Sequence, residues 1–266
     1  MPFVDSNGVR LHYRLDGPED GPVLALSNSL GTSLEMWQAQ MPRFASAFRV
    51  VRMDTRGHGQ SDAPAGEYDL ANLAGDVLRV LDTLGIDRAR FCGISMGGLI
   101  GAWLGAHASE RIERLVLCNT AAKIGTADSW NARIASIRDS GMAEIVNGAP
   151  QRWFTAAFRE RAPGEVAAVQ AQIRNTPPGG YTGCCAAIRD ADLRGDLEGI
   201  TAPTLVVVGR HDPATPPAEG RALADGIARA QLLELDASHL SNIEAADAFN
   251  DGVLSFLTTQ GETTHG

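Results

Sequence analysis

Six short apolar runs, separated by stretches of helical periodicity, constrain this chain more than any other feature. They are Val23 to Ser27, Val50 to Met53, Ala89 to Cys92, Leu115 to Cys118, Thr204 to Val208 and Leu232 to Leu235. Each is too short for a helix of its own, and unbroken apolarity marks strands covered on both faces. Between them, Leu70 to Leu84, Leu99 to Ala108, Glu219 to Ile227 and Glu244 to Leu257 read as helices. Such alternation predicts an α/β domain with a mostly parallel central sheet and crossover helices. Ahead of these runs, Phe3 to Leu15 alternates as strands around Asn7-Gly8, a hairpin signal.

One segment breaks the rhythm. From about Thr126 to Asp196 the patterns are helical, with breaks expected at Gly148-Ala149-Pro150, Ala162-Pro163-Gly164 and Pro177-Pro178-Gly179-Gly180. The reading is a core formed by residues 1–125 and 197–266, with 126–196 inserted as a helical cap over the carboxyl ends of the strands. A length of 266 residues suits one large domain that needs no disulfides. The polar tail from Gln260 is expected to fray.

A net charge of −9 argues against a nucleic-acid partner. No apolar run approaches the roughly 20 residues that span a bilayer, and Met1 to Asp5 lacks the basic and apolar regions of a signal peptide. A cytoplasmic protein without a membrane partner is expected. Cys92 and Cys118 end strands, and Cys184 and Cys185 are adjacent, a pattern that suits neither a disulfide framework nor a metal site. No metal or cofactor is called for.

Chemistry enters at Gly93-Ile94-Ser95-Met96-Gly97, which follows one apolar run and opens a glycine-rich helix. A serine so flanked, between strand and helix, is the nucleophile elbow of the α/β-hydrolase fold. Serine needs a base within reach and an acid to orient it, supplied in this fold in the order Ser, acid, His. His107 lies about three turns down the helix that Ser95 opens, and His265 lies in the tail. His239 sits just past the last predicted strand, where the base belongs. Asp212 ends the preceding strand and is preferred over His211 because the role needs a carboxylate. Asn119, at the other site where the fold places its acid, cannot serve as an anion. An oxyanion hole would take its donors from the backbone of Met96 and of the loop Ser27 to Thr32, with Leu30 favoured and Ser29 the alternative. His58, between glycines in Asp54-Thr55-Arg56-Gly57-His58-Gly59, reads as structural, since the base role is better filled.

Ser27-Asn28-Ser29-Leu30-Gly31-Thr32, Asp54 to Gly59 and Gly93 to Gly98 together resemble the 3-oxoadipate enol-lactonases. So do Leu117 to Ile124, Ala237 to Asn242, and the segments Arg152-Trp153-Phe154-Thr155 and Gly183 to Asp192. The elbow and glycine turn are generic to the superfamily, whereas the Ser-Asn-Ser-Leu-Gly-Thr loop and the cap segments are specific. The resemblance implies hydrolysis of 3-oxoadipate enol-lactone in the β-ketoadipate pathway of aromatic breakdown, with a small lactone bearing a carboxylate as the partner molecule. That carboxylate calls for a cation from among Arg133, Arg138, Arg152, Arg159, Arg161, Arg174 and Arg189. Arg133 is favoured because Trp130 lies three residues earlier on the same helical face; Trp130 and Trp153 are the candidate apolar walls. A general carboxylesterase, a cofactor-free perhydrolase or a small-molecule receptor would share the elbow, while Ser95 speaks against a dehalogenase. Monomer and homo-oligomer are both compatible with the sequence.

Overall fold

In the computed structural model, which describes residues 2–259, the apolar runs hydrogen-bond into one eight-stranded sheet. The strands are β1 (Phe3–Ser6), β2 (Val9–Asp16), β3 (Val23–Ser27), β4 (Arg49–Met53), β5 (Ala89–Ile94), β6 (Ile112–Cys118), β7 (Thr204–Gly209) and β8 (Ala230–Leu235). Their order is β1-β2-β4-β3-β5-β6-β7-β8. β1 and β2 form the expected hairpin, with Asn7 and Gly8 both at positive φ (55° and 84°) as a two-residue turn requires. β2 joins β4 antiparallel, and every later pairing is parallel. The central strands are covered on both faces, which is why all six residues of β7 are buried.

The chain steps outward from β3 to β4 and then crosses back to β5 on the other side of β3. That reversal opens a crevice beyond the carboxyl ends of β3 and β5, where this class of sheet binds ligands. The loop after β3 and the elbow after β5 meet there.

The helices are α1 (Met41–Ala47), α2 (Leu70–Thr83), α3 (Met96–His107), α4 (Ala127–Ser140), α5 (Ala143–Trp153), α6 (Ala156–Arg161), α7 (Pro163–Asn175), α8 (Pro178–Asp190), α9 (Pro217–Asp225), α10 (Ser241–Glu244) and α11 (Ala246–Thr258). α2 buries Leu70, Leu73, Ala74, Val77, Val80 and Leu81 on one face, and Asp69 caps it by accepting from the Asn72 N–H at 2.6 Å. α3 instead lies flat on the sheet. A Cβ at Gly98 would come within 2.6 Å of Thr120, and one at Gly101 within 2.7 Å of Phe91, so the glycine stripe sets this close approach. Helices α4 to α8 fill the stretch between β6 and β7 and pack largely on one another, α4 against α8 and α5 against α7.

Two sequence expectations need correction, and one element was not expected. The break at Gly148-Ala149-Pro150 does not exist: α5 runs through it, with Pro150 inside the helix. Proline removes the N–H that would have bonded the Val146 carbonyl, and Gln170 Nε2 of α7 donates to that carbonyl instead, at 2.9 Å. The turn Gly141-Met142, where Gly141 takes φ 73°, separates the helices in its place. The helix expected over Glu244 to Leu257 divides at Ala245 into α10 and α11. The stretch Leu34 to Ala47, unmarked by periodicity, forms a 3₁₀ segment followed by α1. The other two breaks stand, with Pro163 and Pro178 opening α7 and α8. The tail from Gln260, with His265, lies outside the described residues.

All four cysteines are free and buried. Burial pushes the thiols of Cys118 and Cys184 well up and that of Cys185 to about 12, as suits inert packing groups.

Candidate active site

Ser95 joins β5 to α3 at φ 58° and ψ −115°, a conformation that costs a non-glycine residue about 1–3 kcal/mol. The surroundings enforce it. A Cβ at Gly93 would strike the Gly97 carbonyl, and one at Gly97 would strike the Ser27 carbonyl at the end of β3, so only glycine fits either side. The Ser95 N–H donates to the Cys118 carbonyl at 2.9 Å, and Thr120 Oγ1 donates to the Ser95 carbonyl at 2.9 Å. Both peptide groups of the serine are thereby fixed to the end of β6.

His239 arrives on the loop between β8 and α10. Its Nδ1 lies 2.8 Å from Asp212 Oδ2, with both side chains almost wholly buried. Asp212 follows β7, and its carboxylate is well supplied with donors. Oδ1 accepts from the N–H groups of Ala214 (2.8 Å) and Thr215 (3.1 Å); Oδ2 accepts from Thr215 Oγ1 (2.7 Å) and Asn119 Nδ2 (3.1 Å). Burial raises the carboxyl pKa, but the charge and hydrogen bond of His239 and the donors from Thr215 outweigh it. The net position is below the usual carboxylate range, so Asp212 is ionised at neutral pH. The rejected histidines are engaged elsewhere: His211 Nε2 faces Asp236 at 2.8 Å on the surface, and His107 stacks near Trp103.

Asn119 has a part that sequence reasoning did not assign. At φ 45° directly after β6, it reaches across to Asp212 and to the Ser238 carbonyl (3.2 Å), while its Oδ1 accepts from Ser241 Oγ at 2.6 Å. One amide thus ties the acid to both sides of His239. Only its position, at the fold's other acid site, signalled it.

In the loop after β3 the Ser29 N–H donates to Met36 Sδ (3.3 Å) and the Gly31 N–H to His58 Nε2 (2.9 Å), while Ser29 and Leu30 both line the cavity. Met96 is buried at the first position of α3, where an N–H has no partner within its helix.

These elements enclose a cavity of about 320 Å³ with Ser95, His239, Leu30, Trp130, Arg133 and Trp153 in its wall. Of the favoured residues, all but Asp212 and Met96 line one space; Asp212 stands behind His239, Met96 stands under the elbow, and the candidates Arg138, Arg159, Arg161, Arg174 and Arg189 are not in its wall. Trp130 is pinned by its Nε1 donating to the Ile124 carbonyl at 2.6 Å, and Arg133 lies over its ring, 4.6 Å from the centroid. The Trp153 ring stands 6.2 Å from that of His239. The structure adds Arg152 and Tyr181 to the wall. Burial, then the nearby charge of Arg133, holds the Arg152 guanidinium below its ordinary value. Among the described residues neither Arg133 nor Arg152 makes an ion pair, whereas Arg138 and Arg189 pair with Glu67 on the surface. No group of three His, Cys, Asp or Glu side chains among the described residues is arranged to hold a metal. No helix among them is long and apolar enough to cross a membrane.

A mostly parallel sheet that presents a strained serine, an acid and a histidine past the ends of β5, β7 and β8 defines the molecule as an α/β-hydrolase, a serine hydrolase acting on ester bonds. The model of the alpha/beta hydrolase fold matches residues 22–156 and that of the TAP-like proteins residues 181–265. A curated relative, 3-oxoadipate enol-lactonase 2 of Acinetobacter baylyi, is 44% identical over 94% of this chain and 94% of its own length. The crystal structure of an enol-lactonase from Burkholderia xenovorans superposes with a TM-score of 0.95 at 50% identity, covering 97% of this chain and all of the other. A thermophilic esterase from Thermogutta terrifontis reaches a TM-score of 0.90 over 96% of this chain and 97% of its own, but at 24% identity it shares the fold alone. The chain belongs to the 3-oxoadipate enol-lactonase family.

Proposed function

We propose that this enzyme hydrolyses 3-oxoadipate enol-lactone to 3-oxoadipate in the β-ketoadipate pathway, using Ser95, His239 and Asp212 as its triad. The observation that carries the reading is the pair Arg133 and Arg152, free of ion pairs among the described residues, in the same small cavity as Ser95 and His239. Two like charges kept close and partly desolvated are unfavourable until an anion arrives, and a carboxylate is the anion that their planar donors fit. A simple ester would leave them unmatched. Residues 126–196 act in this reading as a cap that closes residues 1–125 and 197–266 over the substrate. A cytoplasmic location agrees with four buried, unpaired thiols.

Chemistry follows from the placement. His239 Nε2 takes the Ser95 hydroxyl proton as Oγ attacks the lactone carbonyl carbon, and Asp212 holds the Nδ1–H tautomer and stabilises the imidazolium. The carbonyl electrons move onto oxygen, which the Leu30 and Met96 N–H groups hold. Collapse breaks the ring C–O bond, and the enolate oxygen, a better leaving group than an alkoxide, takes the proton from His239. The freed enol isomerises to the ketone while its chain is still esterified to Ser95. Water then adds with His239 as base, and Ser95 leaves with the proton returned to it. One water is consumed.

Steady-state turnover of the enol-lactone against p-nitrophenyl acetate tests the assignment. A higher kcat/KM for the lactone is expected; preference for the simple ester would make the protein a general carboxylesterase. Ligand binding without turnover would make it a receptor.

A further inference from the structure

His58 is completely buried and plays no part in the triad, yet both its ring nitrogens are engaged. The Gly31 N–H donates to Nε2 at 2.9 Å, and Nδ1 lies 3.2 Å from the Arg56 carbonyl. A backbone N–H can only donate and a carbonyl can only accept. The ring is therefore the neutral tautomer with its proton on Nδ1. The turn that carries it is itself rigid: His58 N–H donates to the Thr55 carbonyl, Gly57 N–H donates to the Asp62 carbonyl, and Gly57 presses so closely on Gly180 of α8 that neither could bear a Cβ.

The geometry of the neighbouring loop gives this acceptor a consequence. Met36 Sδ fixes the peptide between Asn28 and Ser29, and His58 fixes the peptide between Leu30 and Gly31. Thr176 Oγ1, from the insertion, donates to the Gly31 carbonyl at 3.2 Å. The peptide between Ser29 and Leu30 is held at its own carbonyl by Thr32, whose N–H (3.1 Å) and Oγ1 (2.7 Å) both donate to the Ser29 oxygen. On its far side it is held by His58 through the Gly31 N–H, so the direction of the Leu30 N–H is set by groups outside the cavity wall.

We propose that His58 is a positioning residue for ester hydrolysis, its Nε2 lone pair aligning the Leu30 N–H with the developing oxyanion. This rests on the reading of Leu30 and Met96 as the oxyanion hole. It goes beyond that reading by assigning the loop's alignment to a histidine that serves neither as base nor as nucleophile. An aligned donor acts on the transition state far more than on the bound ester, so its loss should lower kcat and leave KM nearly unchanged.

Three variants and one inhibitor test it. His58→Phe keeps the ring and removes the acceptor; His58→Gln places an amide oxygen where Nε2 stood; His58→Asn is polar but too short to reach. The expectation is a kcat lower by about 10- to 100-fold in His58→Phe, KM within about 3-fold, and substantial recovery in His58→Gln alone. Phenylboronic acid, whose adduct with Ser95 puts an oxygen in the same hole, should weaken in parallel. Equal kcat in His58→Gln and His58→Asn overturns the proposal even where His58→Phe fails to fold. So does Ser95-dependent boronate binding that is the same in wild type and His58→Phe. Boronate binding to wild type that survives Ser95→Ala instead overturns the oxyanion-hole reading, and the His58 assignment with it.

Discussion

The sheet and the inserted helices hold their parts of the site by different means. On the sheet side, Ser95 and Asn119 sit directly after β5 and β6 and Asp212 three residues past β7, and backbone groups fix each of them. On the insertion side, Trp130, Arg133, Arg152 and Trp153 are placed largely by helix packing and ring stacking, with a short bond from Trp130 Nε1 and a backbone bond from the Leu240 N–H to the Trp153 carbonyl at 3.2 Å. The contrast matches the division of roles in the proposed mechanism. Bond making needs sub-ångström placement, which hydrogen-bonded strand ends provide; recognition of one small acid needs a charged wall that a helical insertion can vary without disturbing the sheet. Glu244 ties the two together, accepting from the Ser238 N–H beside His239 at 2.9 Å and from Thr155 at the start of α6.

Substitution on the two sides should give different kinetic signatures, and the largest effect belongs to the sheet. Ser95→Ala should lower kcat by about 10⁴-fold or more without loss of the folded state, measured by lactone consumption and thermal melting. Activity near that of wild type would remove Ser95 from the chemistry.

Acid stability should also be set on the sheet side. Burial holds His58 at about 4, against an ordinary value of 6.5. Between those values the unfolded chain binds a proton that the folded one does not, so stability falls as pH drops through that window, by roughly 3 kcal/mol. Asp212, held below its ordinary range, has the depressed-carboxylate sign and adds a further loss as pH falls through its folded value. Denaturant melts from pH 7 to pH 4 should show this slope in wild type and a shallower one in His58→Gln. Identical slopes would place the acid sensitivity elsewhere.

The insertion should respond in KM. Arg133→Met and Arg152→Met should each raise KM for the enol-lactone by about 10- to 100-fold, the worth of a charge-assisted hydrogen bond. Hydrolysis of p-nitrophenyl acetate should be unchanged. A fall in kcat with both substrates would show that the arginines serve the chemistry instead.

Asn119→Ala removes one of several bonds to Asp212 and should lower kcat about 10-fold, with KM constant. The smallest effect sharpens the comparison from the other side. Gln170→Ala leaves the Val146 carbonyl in α5 without its donor and should cost about 1 kcal/mol, or 2–4 °C in melting temperature. The kcat on p-nitrophenyl acetate should not move.

Much of this molecule was legible in sequence because much of it is local. β3 begins and ends where its apolar run does, the other five runs lie within their strands to within a few residues, and Ser95, Asp212 and His239 follow strand ends in the chain order the fold uses. The elbow could be read because its glycines exclude each other's neighbours within a few residues of chain. Helix α5 could not, since what lets it tolerate Pro150 is Gln170, a full helix away. The favoured arginine, Arg133, reached the cavity, but its companion Arg152 was one of several equal candidates until the helices packed.

By itself, then, the sequence determined the parallel sheet, the strained serine and the order of the acid and the base. These depend on periodicity and steric exclusion, which act over a few residues. Tertiary structure decided the rest. Asn119 meets Asp212 across 93 residues of chain, and the Gly31 N–H meets His58 across 27. Such contacts exist only once the sheet has brought its strand ends together, because a hydrogen bond is specified by distance and direction in space and leaves no periodic trace along the chain.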